Sequence, residues 1–198
     1  MDTVVRVPDL EPWRTLDRVS VFHRRPWVRL WAERVELPDG RVIADWIQVE
    51  LPDYAMVVAI TEDLHAVTLR SYKHGERRVR RGLPAGYLEQ GEAPLAAARR
   101  ELLEESGYAA VDWSHLGSFT VDGNRGCGNA HLFLATGAER VAEADSGDLE
   151  EISIEPVPFK ELTEAVRTGE VGTLSTATAI CLAGMALQRL SDAATPAS

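Results

Sequence analysis

Apolar and polar residues alternate most plainly at Ile47 to Leu51, where Ile47, Val49 and Leu51 interleave with Gln48 and Glu50. A period of two marks a strand with one face buried. Trp27–Leu37 and Arg41–Leu51 therefore read as two strands joined at Pro38-Asp39-Gly40, a strong turn signal. Met56 to Ile60 is apolar without a break, which predicts a central strand covered on both faces. It belongs to a strand pair, Tyr54–Ile60 and Ala66–Tyr72, that turns at Thr61-Glu62-Asp63. His115–Val121 and His131–Thr136 are two further strands. The segment between them, Asp122 to Asn129, holds three glycines and reads as a tight or ligand-hugging loop. Ile152-Ser153-Ile154 restores alternation before Pro156 and Pro158 punctuate it. Helical stretches are expected at Leu95–Ser106, at Phe159–Thr168 with Gly169 as its stop, and at Thr173–Leu190 with one apolar side. Residues 1–26 read as extended chain and loop, 138–150 as an acidic surface loop, and 191–198 as a disordered tail.

The first of these helices carries the chemistry. Pro94 suits a first helical turn, and Gly107 suits a left-handed cap at the other end. Between them Glu101, Glu104 and Glu105 stand at i, i+3 and i+4, so their carboxylates share one face. Three crowded carboxylates repel one another unless a hard divalent cation joins them, and oxygen ligands favour Mg²⁺ or Mn²⁺. Taken alone, such a face is more often a solvated acidic surface paired locally with Arg99 and Arg100. Here Gly86, Glu92, Arg100-Glu101, Glu104-Glu105 and Gly107 fall at fixed spacings, which a chance acidic face would not show. Leu95, Leu102 and Leu103 remain to anchor the helix.

Composition narrows the rest. The 198 residues suit one domain with a small N-terminal extension, and the net charge of −10 disfavours nucleic acid and anionic membranes as partners. No run is long enough to span a membrane, and Met1–Leu10 lacks the pattern of a secretion signal. Cys127 and Cys181 are the only cysteines, which fits a reducing cytoplasm. Cys181 reads as core and Cys127 as a small filler in the glycine loop. Within this acidic chain, residues 73–81 carry the densest positive charge, either a solvated loop or a holder of substrate phosphate. Trp27, Trp31 and Trp46 load the early strands; they suit core or dimer packing, or a stacking platform for a base.

The spacing from Gly86 to Tyr108 resembles the Nudix box, GX5EX7REUXEEXGU, with Tyr108 in its last apolar position. Leu69-Arg70-Ser71-Tyr72-Lys73-His74 followed by Leu83-Pro84-Ala85-Gly86 is similar to a stretch of the ADP-ribose and nucleotide-sugar pyrophosphatase group of that superfamily. The chain departs from the group at Gly82, where a glutamate is usual, and at Val121 to Gly126, which replaces a Ser-Pro-Gly motif. The resemblance implies an α/β fold, the Nudix αβα sandwich with mixed sheets and an N-terminal β-hairpin extension. Residues 1–54 would form a dimerising extension and 55–190 the catalytic domain. It also implies a Mg²⁺ site (Mn²⁺ as an alternative) at the Ala85 carbonyl, Glu101, Glu104 and Glu105, with Arg100 orienting the acids and Glu92 either supporting them or shaping the loop. The general base is Glu150 or Glu151. Arg70, Lys73, Arg81 and Trp46 are candidates for substrate contact. The expected reaction is hydrolysis of a nucleoside diphosphate derivative by a homodimer, ADP-ribose to AMP and ribose 5-phosphate in the first instance. GDP-mannose or ADP-glucose is the alternative. A non-catalytic nucleotide-sensing module would be expected to have lost box acids or gained a DNA-binding domain; the acids are all present, and too few residues remain for a winged helix.

Overall fold

The computed structural model describes residues 10–147 and 151–194. The chain divides into two compact units, Met1–Pro52 with Asp122–Gly128, and Asp53–Val121 with Asn129–Ser198. In order the elements are β1 (Arg14–Arg24), β2 (Val28–Glu36), β3 (Val42–Glu50), β4 (Tyr54–Ile60), β5 (His65–Lys73), β6 (Arg78–Gly82), β7 (Ala85–Tyr87) and α1 (Pro94–Ser106). They continue with β8 (Tyr108–Ala109), β9 (Asp112–Asp122), β10 (Gly126–Thr136), β11 (Glu139–Arg140), β12 (Ser153–Pro158), α2 (Phe159–Thr168) and α3 (Leu174–Ala194).

The first unit is an antiparallel β1–β2–β3 meander, joined at Gly126↔Val49 by the start of β10. Within residues 1–26, read as extended chain and loop, residues 14–24 form an eleven-residue strand. Nearly all of β1 is exposed on both faces, so burial writes no alternation into its sequence. The turn at residues 37–41 is as expected, with Gly40 left-handed at φ 82°.

In the second unit β4 lies parallel to β10 and antiparallel to β5 and β7. Its continuous apolar run is explained by two cores. Ala55, Val57 and Ala59 pack with Ala97, Ala98 and Leu102 of α1, while Met56, Val58 and Ile60 pack with Leu162 of α2 and with Ala179, Ile180 and Ala183 of α3. This is an αβα sandwich, and Leu102, fully buried, pins the box helix to the sheet. Leu103, read as an anchor, is 42% exposed because it points away from that contact.

Three more expectations change. Pro156 and Pro158 do not interrupt a strand but lie inside β12, which pairs with β5 alone and so has a free edge that tolerates missing N–H groups. Helix α3 runs four residues past Leu190, and residues 195–198 lie outside the described chain. Cys181 is exposed: Thr176, Ala179, Ile180 and Ala183 form the buried face of α3, and Cys181 falls beside it. Among the described residues no helix is long and apolar enough to cross a membrane.

Candidate active site

The loop from β7 into α1 folds around Glu92. Its carboxylate accepts the Glu89 N–H (2.9 Å) and takes the Arg100 guanidinium through two bonds, from Nε at 3.0 Å and Nη2 at 2.9 Å. Glu92 is therefore both a loop acid and the anchor of Arg100. Helix α1 begins with Pro94 and ends at Gly107 in the left-handed region, whose N–H donates to the Leu103 carbonyl at 2.7 Å. Between these ends the 3.6-residue turn brings Arg100 onto the acidic face.

Arg100 Nη1 donates to Glu101 Oε1 at 2.6 Å and to Glu104 Oε2 at 3.1 Å, while Nη2 also reaches the Tyr87 carbonyl at 3.1 Å. Glu105 is buried and accepts the Ala85 N–H at 2.7 Å. Gly86 lets the Glu101 carboxylate lie against the main chain: a Cβ there would displace it from this position. The hydrogen bonds from Arg100 hold Glu92 below the usual carboxylate range; burial opposes the shift, and the Glu89 N–H reinforces it. Arg100 is in turn pushed upward, chiefly by Glu92.

Three carboxylates, those of Glu92, Glu101 and Glu104, thus gather around one guanidinium, and Glu105 lies on the same helix face. Among the described residues no three His, Cys, Asp or Glu side chains converge as a ready metal cage; Arg100 holds Glu101 and Glu104 instead. The donor set still fits a hard divalent cation, because the acids share one helix face, the glycine cradle admits Glu101, and the main chain of Ala85 lies against Glu105. Arg100 would have to yield Glu101 and Glu104 to such an ion.

The other predicted site residues are dispersed. Arg70 and Glu151 line one cleft of about 350 Å³, together with Tyr72, Ser153 and Glu155. Glu150 lies outside the described residues. The basic run, expected to be a loop, is the β5–β6 hairpin, with Lys73 opposite Arg78. Arg81 Nε donates to Glu170 at 2.9 Å and Nη1 to Thr68 at 2.9 Å, with Glu155 at 3.4 Å. Trp46 packs edge-on against Trp13 at 5.1 Å and donates to the Asn124 carbonyl at 3.3 Å. Glu155 and Glu170 were missed, since nothing local in the sequence links them to Arg81.

The glycine segment also differs from expectation. Its loop shrinks to residues 123–125, and Gly126 and Gly128 are strand residues at φ 83° and 75°. A Cβ on Gly128 would stand 2.9 Å from the Leu51 and Pro52 carbonyls, so these glycines admit neighbouring backbone. Cys127 between them is itself left-handed, at φ 61°, and belongs to β10.

A model of the NUDIX domain family matches residues 51–173. The chain belongs to the Nudix family. It is similar to the ADP-ribose pyrophosphatase of Bacillus subtilis (strain 168), 29% identical over 168 residues that span 84% of this chain and 90% of that protein. It is also similar to the methanol dehydrogenase activator of Bacillus methanolicus, 33% identical over 70% of this chain and 74% of that one. The crystal structure of an ADP compounds hydrolase superposes with a TM-score of 0.79 over 93% of this chain and 98% of its own. At 19% identity that likeness speaks for the fold. The chain is a Nudix pyrophosphohydrolase of the ADP-ribose pyrophosphatase-like group.

Proposed function

We propose that this Nudix hydrolase cleaves the diphosphate of a nucleoside diphosphate derivative, ADP-ribose first among them, to give AMP and ribose 5-phosphate. The observation that carries the reading is the acidic face of α1, where Glu101 and Glu104 share Arg100 and Glu105 accepts the Ala85 N–H. These three carboxylates and the Ala85 carbonyl would hold Mg²⁺, with Mn²⁺ as the alternative. A divalent cation bound there supplies charge neutralisation of the diphosphate and a lowered pKa for the attacking water.

The chain's own residues do the remaining work. Arg100 keeps the acids in register and, once released from Glu101 and Glu104, stays clamped by Glu92. Glu151, or Glu150, accepts the proton of the attacking water. Glu151 shares its cleft with Arg70, which together with Lys73 offsets the phosphate charge. Exposed apolar side chains on the first unit, among them Val19, Val21, Phe22 and Trp27, support a homodimer. The two-cysteine composition supports a cytoplasmic setting.

Incubation with ADP-ribose, ADP-glucose and GDP-mannose under millimolar Mg²⁺, with products separated by chromatography, tests the reading. AMP and ribose 5-phosphate from ADP-ribose at the highest kcat/KM are expected. Preference for either sugar nucleotide would move the substrate, and no turnover of any nucleoside diphosphate derivative would overturn the proposal.

A further inference from the structure

A second polar cluster lies on β9 and β10, made of residues that the box chemistry does not use. His115 Nε2 stands 3.0 Å from the Ser118 hydroxyl oxygen, and His131 Nδ1 stands 2.7 Å from the same atom. Two imidazole nitrogens therefore aim at one point. Residues 115 and 118 would face opposite sides of a regular strand. Gly117 changes that: at φ 147° it takes a conformation that side chains rarely adopt, and a Cβ there would meet the Phe119 ring at 2.6 Å. The departure at Gly117 turns Ser118 toward His115.

Both rings are held from behind. His115 stacks against Phe133, with ring centroids 5.2 Å apart. His131 turns its other nitrogen, Nε2, toward Asp53 Oδ2 at 3.7 Å. Asp53 is itself fixed by the Asn129 main-chain N–H at 2.8 Å and by the Asn129 side-chain amide at 3.2 Å and 3.3 Å. At 3.7 Å the carboxylate of Asp53 lies beyond hydrogen-bond length from His131 and supplies negative charge behind the ring.

We propose that His115, Ser118 and His131 form a second cation site, for a borderline transition metal of the Zn²⁺ class. Imidazole nitrogen selects Zn²⁺, Cu²⁺ or Ni²⁺, whereas the all-oxygen face of α1 selects harder ions, so the two sites sort metals by ligand chemistry. Zn–N bonds are about 2.0–2.1 Å, so an ion taking the place of the Ser118 oxygen needs the His115 ring to close by roughly 0.9 Å and the His131 ring by roughly 0.6 Å, with the hydroxyl turned aside. Solvent completes the coordination, because His115 and Ser118 are exposed. Asp53 is a positioning residue for His131 and adds negative charge behind it.

Equilibrium dialysis of the full chain against micromolar Zn²⁺, with millimolar Mg²⁺ to occupy the oxygen site, tests this. One equivalent of Zn²⁺ is expected to be retained. His115→Ala and His131→Ala should each lose it, with at least a tenfold weakening, and Asp53→Asn should weaken it less than either. A second measurement needs no variant: Zn²⁺ should slow diethylpyrocarbonate modification of His115 and His131 several-fold while leaving His23 unchanged, as read by mass spectrometry. Zinc retention within twofold of wild type in both histidine variants overturns the site. So does equal reactivity of His115, His131 and His23 toward the reagent with and without Zn²⁺.

Discussion

Two arginines of similar burial, Arg100 and Arg81, gather carboxylates around themselves to opposite effect. Arg100 faces Glu92, Glu101 and Glu104, with Glu105 one residue further along the same helix face. One guanidinium stands against three acids. Arg81 meets Glu155 and Glu170, and Arg70 approaches Glu155 at 3.9 Å, so two cations balance two acids. The Arg81 group is electrically complete and ties β6 to β12 and to the segment after α2. The Arg100 group sets one guanidinium against three carboxylates in a partly desolvated place, an arrangement that a divalent cation would stabilise. Charge balance therefore separates a structural clip from a site better than charge density does.

The strongest way to break that contrast is at Glu105. Glu105→Gln keeps an oxygen for the Ala85 N–H and removes the charge. It should cost about 10³-fold or more in kcat, several kcal/mol of transition-state stabilisation, with the thermal midpoint near wild type. Activity within tenfold of wild type would sink the metal assignment. Next comes Arg100→Ala, which strips the acids of their counter-charge. Without Mg²⁺ the fold should lose about 2 kcal/mol in urea melts, since part-buried carboxylates are left unpaired. Millimolar Mg²⁺ should then stabilise the variant more than it stabilises wild type, because Arg100 no longer competes for Glu101 and Glu104. Equal stabilisation of both proteins would mean that the ion and the arginine do not share ligands.

The same contrast explains what the sequence could tell. Glu101, Glu104, Glu105 and Arg100 lie within six positions on one helix, and the helical turn alone brings them together. The strand pair around Thr61 and the caps at Pro94, Gly107 and Gly169 were legible for the same reason, each being set by neighbouring residues. Arg81 finds Glu170 across 89 positions, and only the folded sheet supplies that pairing. Gly126 and Gly128 looked like ligand glycines because close approach has one signature whether the neighbour is a phosphate or the carbonyls of residues 49–52. Strand β1 was invisible since exposure on both faces leaves no period to read. Gly117 did carry a signal, a lone glycine inside a strand pattern, and it marks the turn of backbone that brings Ser118 to His115.

Arg81→Gln sharpens the comparison at its other end. If Arg81 is a clip, the variant should lose about 1.5–3 kcal/mol of stability, the usual worth of hydrogen bonds to charged partners, with KM within about twofold of wild type. A tenfold rise in KM with an unchanged melt would return Arg81 to the substrate and undo the distinction drawn from charge balance.

The smallest expected effect is a pH dependence at Glu92. Hydrogen bonds from Arg100 favour its ionised form in the folded protein, so its folded pKa lies below its unfolded one. In that window the unfolded chain binds more protons, and stability rises with pH. The contribution is fully present above the ordinary carboxylate pKa and is lost as pH falls through the lowered value, when a protonated Glu92 releases the Arg100 fork. Thermal midpoints followed from neutral pH into the acid range should fall less steeply in Glu92→Gln than in wild type, by the equivalent of about 1 kcal/mol. The difference should shrink in Arg100→Ala, where the fork is already gone. Parallel acid limbs in wild type and Glu92→Gln would show that Glu92 shapes the loop through the Glu89 N–H alone, and that the surplus charge around Arg100 belongs to the three acids of the helix.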